Sequence, residues 1–159
     1  MNISFTLNGT PVQKELSPEK PLLRVLKEDF NIKSVKEGCG RGECGTCTVL
    51  FDGRAVTSCM IATGQVINKE VHTLEGLEKE GKIKYIQKAF VESGAVQCGF
   101  CTPGFIIAAY AFLKNRNYKD IPSREDIRVA ISGNICRCTG YTKIIDGIVL
   151  AAKYLKKDS

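Results

Sequence analysis

No stretch of the 159-residue sequence is apolar enough for long enough to cross a bilayer; the richest run, 105–113, is far short of the roughly 20 residues a spanning helix needs. The N-terminus has no basic segment leading into an apolar helix. It opens directly on the alternating Asn2-Ile3-Ser4-Phe5-Thr6-Leu7, so no secretory or transit peptide is visible and a cytoplasmic location is the expectation. Lysines and arginines form no run or stripe, so the formal charge of +6 does not point to nucleic acid. No nucleophile-and-base constellation is present, which argues against a complete stand-alone enzyme. The single histidine, His72, falls in an expected strand and reads as a partly exposed side chain rather than a ligand.

What the sequence does have is cysteine, eight in all. In a reducing cytoplasm disulfides are a poor explanation, and metal binding or redox chemistry a better one. The cysteines form two groups of four, Cys39, Cys44, Cys47 and Cys59, then Cys98, Cys101, Cys136 and Cys138. Gaps of four, two and eleven residues in the first group match the plant-type [2Fe–2S] ferredoxin spacing. Gly38, Gly40, Gly42 and Gly45 would let that loop turn backbone N–H donors toward sulfur. A Cys₄ zinc site fits less well, because its usual pattern is two separated C-x₂-C pairs. For the second group the spacing alone leaves open a [2Fe–2S] cluster, a Cys₄ zinc site or a redox Cys-x-x-Cys. If both groups hold oxidised [2Fe–2S] cores, eight thiolates remove eight charges and the cores return four, so the net charge falls to +2.

The texture of the chain changes between the groups. Residues 1–76 carry strand signals: Ile3, Phe5 and Leu7 alternate, Asn8-Gly9 supplies a type I′ turn into a strand around 12–16, and Pro21 opens a short helix with Leu22, Leu23, Val25, Leu26 and Phe30. A second hairpin turns at Asp52-Gly53, and a late strand is expected over 71–74. Hairpin, helix, hairpin and returning strand predict a small β-grasp domain. Residues 77–159 carry helical spacing instead: Ile83, Ile86 and Phe90; 105–113 behind an expected Thr102 N-cap with Pro103; Ile127, Ala130 and Ile131 behind a Ser123 capping box and before a Gly133-Asn134 stop; and Ile144, Ile148, Ala151, Ala152 and Leu155. Four helices predict a compact bundle, making the whole chain α+β with two domains. Each cysteine pair of the second group lies just before a helix, a weak internal repeat.

Three segments together, 43–49 (Glu-Cys-Gly-Thr-Cys-Thr-Val), 97–104 (Gln-Cys-Gly-Phe-Cys-Thr-Pro-Gly) and 133–141 (Gly-Asn-Ile-Cys-Arg-Cys-Thr-Gly-Tyr), closely resemble the iron–sulfur subunit of the molybdenum hydroxylases, the xanthine oxidase family. The resemblance covers nearly the whole chain and implies a [2Fe–2S] cluster in each domain. It implies that Cys98, Cys101, Cys136 and Cys138 hold the cluster nearer molybdenum and Cys39, Cys44, Cys47 and Cys59 the one nearer flavin. Gln97 matches the position that hydrogen-bonds the pterin, and Cys138 the ligand lying against it. The family's chemistry takes place at a molybdopterin cofactor in a large subunit, and electrons leave to FAD in a medium subunit. The implied role is therefore an electron-transfer subunit without a catalytic site of its own, in a heterotrimer or a dimer of heterotrimers, ending at Ser159 without a flavin or molybdenum domain. A purine such as xanthine or another nitrogen heterocycle is the expected substrate class; an aldehyde, carbon monoxide or 4-hydroxybenzoyl-CoA oxidoreductase is the alternative within the family.

Overall fold

The computed structural model describes residues 1–158. Five strands, β1 (Asn2–Leu7), β2 (Thr10–Glu15), β3 (Thr48–Phe51), β4 (Arg54–Thr57) and β5 (Glu70–His72), form one mixed sheet in the order β2-β1-β5-β3-β4. Both hairpins close as their turn residues dictate. Asn8 and Gly9 have φ of 53° and 78°, Asp52 and Gly53 of 46° and 79°, the left-handed pairs of type I′ turns. The late strand, β5, inserts between the hairpins, parallel to β1 and antiparallel to β3. It stops at His72, short of the expected 71–74, because Thr73 turns the chain into a short helix, α2 (Leu74–Leu77).

Helix α1 (Leu22–Arg24) continues as a wide π turn over Val25–Asp29, and Leu22, Leu23, Val25 and Leu26 all point inward. They pack with Ile3, Phe5, Leu7, Val49 and Val71 in one core. A second core is built by α3 (Ile83–Glu92), α4 (Thr102–Asn115), α5 (Arg124–Ala130) and α6 (Thr142–Lys157) through Ile86, Phe90, Phe105, Tyr110, Ile127, Ile144 and Ile148. Strand β3 joins the two. Val49 faces the first core and its neighbour Leu50 the second, since successive side chains leave opposite faces of a strand. A strand covered on both faces needs a continuous apolar run, which Val49-Leu50-Phe51 supplies. On the helical side the cover is α4, buried nearly all round, as a central helix must be.

Two helix-end expectations are corrected. Thr102 is the first residue of α4, and the cap position belongs to Cys101. Gly133-Asn134 does not stop α5, which ends at Ala130 with Ile131 as its cap; Asn134 turns inward and is buried. The Ser123 capping box does form, with Ser123 Oγ accepting from Asp126 N–H at 3.1 Å. Among the described residues no helix is long and apolar enough to cross a membrane.

Candidate metal centres

The loop between α1 and β3 carries Cys39, Cys44 and Cys47, and Cys59 joins them from the 3-10 turn Ser58–Met60 after β4. Backbone donors converge on their sulfurs. Arg41 and Glu43 N–H groups donate to Cys39 Sγ at 3.4 and 3.3 Å, Gly42 N–H to Cys59 Sγ at 3.2 Å, and Cys39 N–H to Cys44 Sγ at 3.4 Å. Donors so placed favour a thiolate, and the Arg41 N–H foremost lowers the Cys39 thiol to about 6. Cys59 goes the other way, pushed up to about 11 by burial and then by the neighbouring Cys47 thiol. The loop can curl so tightly because Gly42 takes φ +83°.

The second set comes from two loops of the helical region. Cys98 and Cys101 lie between α3 and α4, Cys136 and Cys138 between α5 and α6. Burial, followed by the Cys136 thiol, pushes Cys101 up to about 12, and the adjacent Cys98 thiol raises Cys138. Burial also pushes Cys136 up, but the Thr139 hydroxyl, donating to its sulfur at 3.2 Å, and nearby N–H groups outweigh it and leave the thiol lowered. All four line a cavity of about 200 Å³ together with Cys44, Thr46, Phe100 and Ile135. The set is graded in exposure: Cys136 is buried, while Cys98 and Cys138 are open to solvent beside Phe100 (47% exposed) and Ile135 (52% exposed). Gln97, next to Cys98, is exposed and makes no hydrogen bond to any described residue. His72 lies away from both sets, with Nε2 3.0 Å from Glu70 Oε1 and a buried Nδ1 that has no partner.

The two sets meet at one seam. Ile135 N–H donates to the Cys44 carbonyl at 2.9 Å, so a residue adjacent to Cys136 is bonded to a residue of the first set. Beside it, Thr46 Oγ1 donates to the Phe100 carbonyl at 3.3 Å, and Asn134 Nδ2 to the Gly45 carbonyl at 2.9 Å. Thr139 and Tyr141 had no role of their own in the sequence reading, and Asn134 only that of a helix stop, although all three lie inside the 133–141 segment that carried the resemblance.

The donor chemistry fits iron–sulfur ligation, with four thiols per set and backbone N–H groups aimed at sulfur. Among the described residues no three His, Cys, Asp or Glu side chains converge on a single-ion site.

Family models agree with this division of labour. A 2Fe-2S iron-sulfur cluster binding domain matches residues 5–81, and a [2Fe-2S] binding domain matches residues 73–149. The chain is 50% identical over 145 residues to the nicotinate dehydrogenase small FeS subunit of Eubacterium barkeri, covering 91% of this chain and 90% of that protein. It is 46% identical over 149 residues to the xanthine dehydrogenase iron-sulfur-binding subunit of Escherichia coli O157:H7, covering 94% and 92%. Among solved structures, the aldehyde oxidoreductase from Desulfovibrio desulfuricans superposes with a TM-score of 0.89 at 41% identity; the match covers 99% of this chain and 17% of that one.

Proposed function

We propose, on the premise that this chain belongs to the iron–sulfur subunits of the molybdenum hydroxylase family, that Cys39, Cys44, Cys47 and Cys59 ligate one [2Fe–2S] cluster and Cys98, Cys101, Cys136 and Cys138 the other. The clusters supply reversible one-electron storage, and the protein supplies their ligands, their hydrogen bonds and the link between them. The observation that carries this reading is that link. From Cys136, one peptide leads to Ile135, whose N–H bonds the carbonyl of Cys44, so the two ligand sets are joined by a short covalent path and one hydrogen bond.

In this reading the chain divides near residue 76 into a β-grasp domain and a four-helix domain, a division supported by the two cores. The open edge at Cys98 and Cys138 faces a large molybdopterin-binding subunit. Gln97 fits a pterin contact there, because an unpartnered exposed amide can both donate and accept. A medium FAD-binding subunit covers the Cys39 side, in a cytoplasmic heterotrimer or a dimer of heterotrimers. The substrate of the assembly is a nitrogen heterocycle, supported by relatives named for nicotinate and xanthine. An aldehyde is the second reading, supported by the likeness to aldehyde oxidoreductase.

Metal and sulfide analysis of the native protein tests the ligand assignment. The expected content is about four iron and about four acid-labile sulfides per chain, with visible absorption bleached by dithionite. Stoichiometric zinc without visible absorption would overturn it.

A further inference from the structure

Asn134 is buried at the seam between the two cysteine loops, 8% exposed. Its Nδ2 donates to the Gly45 carbonyl at 2.9 Å and approaches Thr48 Oγ1 at 3.4 Å. That carbonyl is already the acceptor for Thr48 Oγ1 at 2.6 Å and Thr48 N–H at 3.2 Å, so the loop holding Cys44 and Cys47 and the loop holding Cys136 are pinned at one oxygen. Only the NH₂ end of the amide can face a carbonyl, and an aspartate there would set oxygen against oxygen.

The backbones come together closely at the same place. A Cβ on Gly45, at φ +66°, would lie 2.3 Å from the Gly133 carbonyl oxygen and 2.6 Å from Asn134 Nδ2; a Cβ on Gly104 would lie 2.6 Å from the Gly45 carbonyl oxygen. Two glycines thus leave room for the approach, and one amide bonds across it. The Ile135 N–H to Cys44 carbonyl bond, one residue along from Asn134, needs the same register.

We propose that Asn134 is a positioning residue that holds the two cluster loops in the register through which electrons cross between them. The inference rests on the assignment of the eight cysteines as cluster ligands. Asn134 touches neither cluster-ligating sulfur nor substrate; it acts through the seam. Without its amide the docked arrangement loses about tenfold in weight against undocked ones, the effect of one buried hydrogen bond left unmade. Both clusters keep all their ligands.

The test uses the full chain loaded with both clusters, in the native form and as Asn134→Asp and Thr48→Val. Thr48→Val approaches the same oxygen from the other loop, removing the hydroxyl that bonds Gly45 while keeping the side chain's shape. Iron and sulfide content, the separate EPR spectra of the two reduced clusters and the magnetic splitting between them at low temperature are recorded. Splitting depends on cluster separation and orientation, so a residue that merely stabilised the fold would leave it unchanged in the folded protein. The expected result is native iron content and native individual spectra in at least one variant, with the splitting weakened or broadened. Unchanged splitting in every iron-loaded variant would overturn the proposal, as would loss of a cluster from both variants. A native chain without iron would refute the ligand assignment itself, so the two failures are distinguishable.

Discussion

Thr139 puts one hydroxyl to two uses, donating to Cys136 Sγ at 3.2 Å and accepting the Tyr141 N–H at 3.2 Å. Tyr141 sits at φ +69°, a left-handed conformation that costs a non-glycine residue roughly 1–2 kcal/mol. The cost is offset in part because that turn brings its hydroxyl to accept the Cys136 N–H at 3.1 Å. With Cys136 as the proposed cluster ligand, a donor on its sulfur stabilises the more electron-rich state, so its removal should make that cluster harder to reduce. Thr139→Val, which keeps the shape and deletes the hydroxyl, is expected to lower the midpoint potential of the helical-domain cluster. About one hydrogen bond's worth, a tenfold change in the reduced-to-oxidised ratio, corresponds to about 59 mV for a one-electron couple. An EPR-monitored potentiometric titration checks this, and an unchanged potential would show that the hydroxyl serves the turn alone. All eight cysteines could be picked out by spacing and motif. The hydroxyls and amides that set their surroundings could not, because a threonine beside a cysteine has no signature until the loop is folded.

Among the elements, the short helix α2 controls the approach to the first cysteine loop. Glu75 in its first turn accepts from Lys33 N–H at 3.1 Å, Ser34 N–H at 2.9 Å, Ser34 Oγ at 2.5 Å and Thr73 Oγ1 at 2.7 Å, anchoring the segment that leads to Cys39. Burial pushes the Glu75 carboxyl up, but the Ser34 and Thr73 donors outweigh it and hold it below its ordinary 4.5. A carboxylate with a depressed folded pKa contributes its stability above the ordinary value and loses it as pH falls through the folded one. Glu75→Gln should therefore cost about 1–2 kcal/mol at neutral pH, after a discount for partial exposure. The gap from native should narrow as pH drops below 4.5. Urea unfolding at neutral and acid pH measures both, and a gap that stays constant with pH would refute the role of the charge. Nearby, the hairpin-turn residue Asn8 accepts from Thr73 N–H at 2.8 Å and donates to Thr73 Oγ1 at 3.0 Å. Asn8-Gly9 was readable as a turn because its φ demands are local. The bond from Asn8 to the residue that ends β5 spans 65 positions and was not readable.

For the molecule as a whole, the exposed apolar residues are informative. Phe100 and Ile135 line the cavity beside the open cysteines Cys98 and Cys138, and Val96 (38% exposed) lies two residues before Cys98, an arrangement that suits burial against another protein surface. Produced without the larger subunits, the native chain should self-associate on size-exclusion chromatography. The double variant Phe100→Ser, Ile135→Thr should run as a monomer yet fail to co-purify with those subunits; a variant that still assembles would move the interface elsewhere. By itself the sequence determined the two groups of cysteines, both hairpin turns and the helical periodicities, because each is written within a few residues by backbone conformation, side-chain alternation or cysteine spacing. Only the tertiary structure decided that Leu50 belongs to the helical core, that Cys101 caps α4, and that Asn134 bonds a carbonyl 89 residues away. Those outcomes follow from α4 packing against β3, which draws the two cysteine loops together; no local pattern encodes which distant backbone a buried amide will meet.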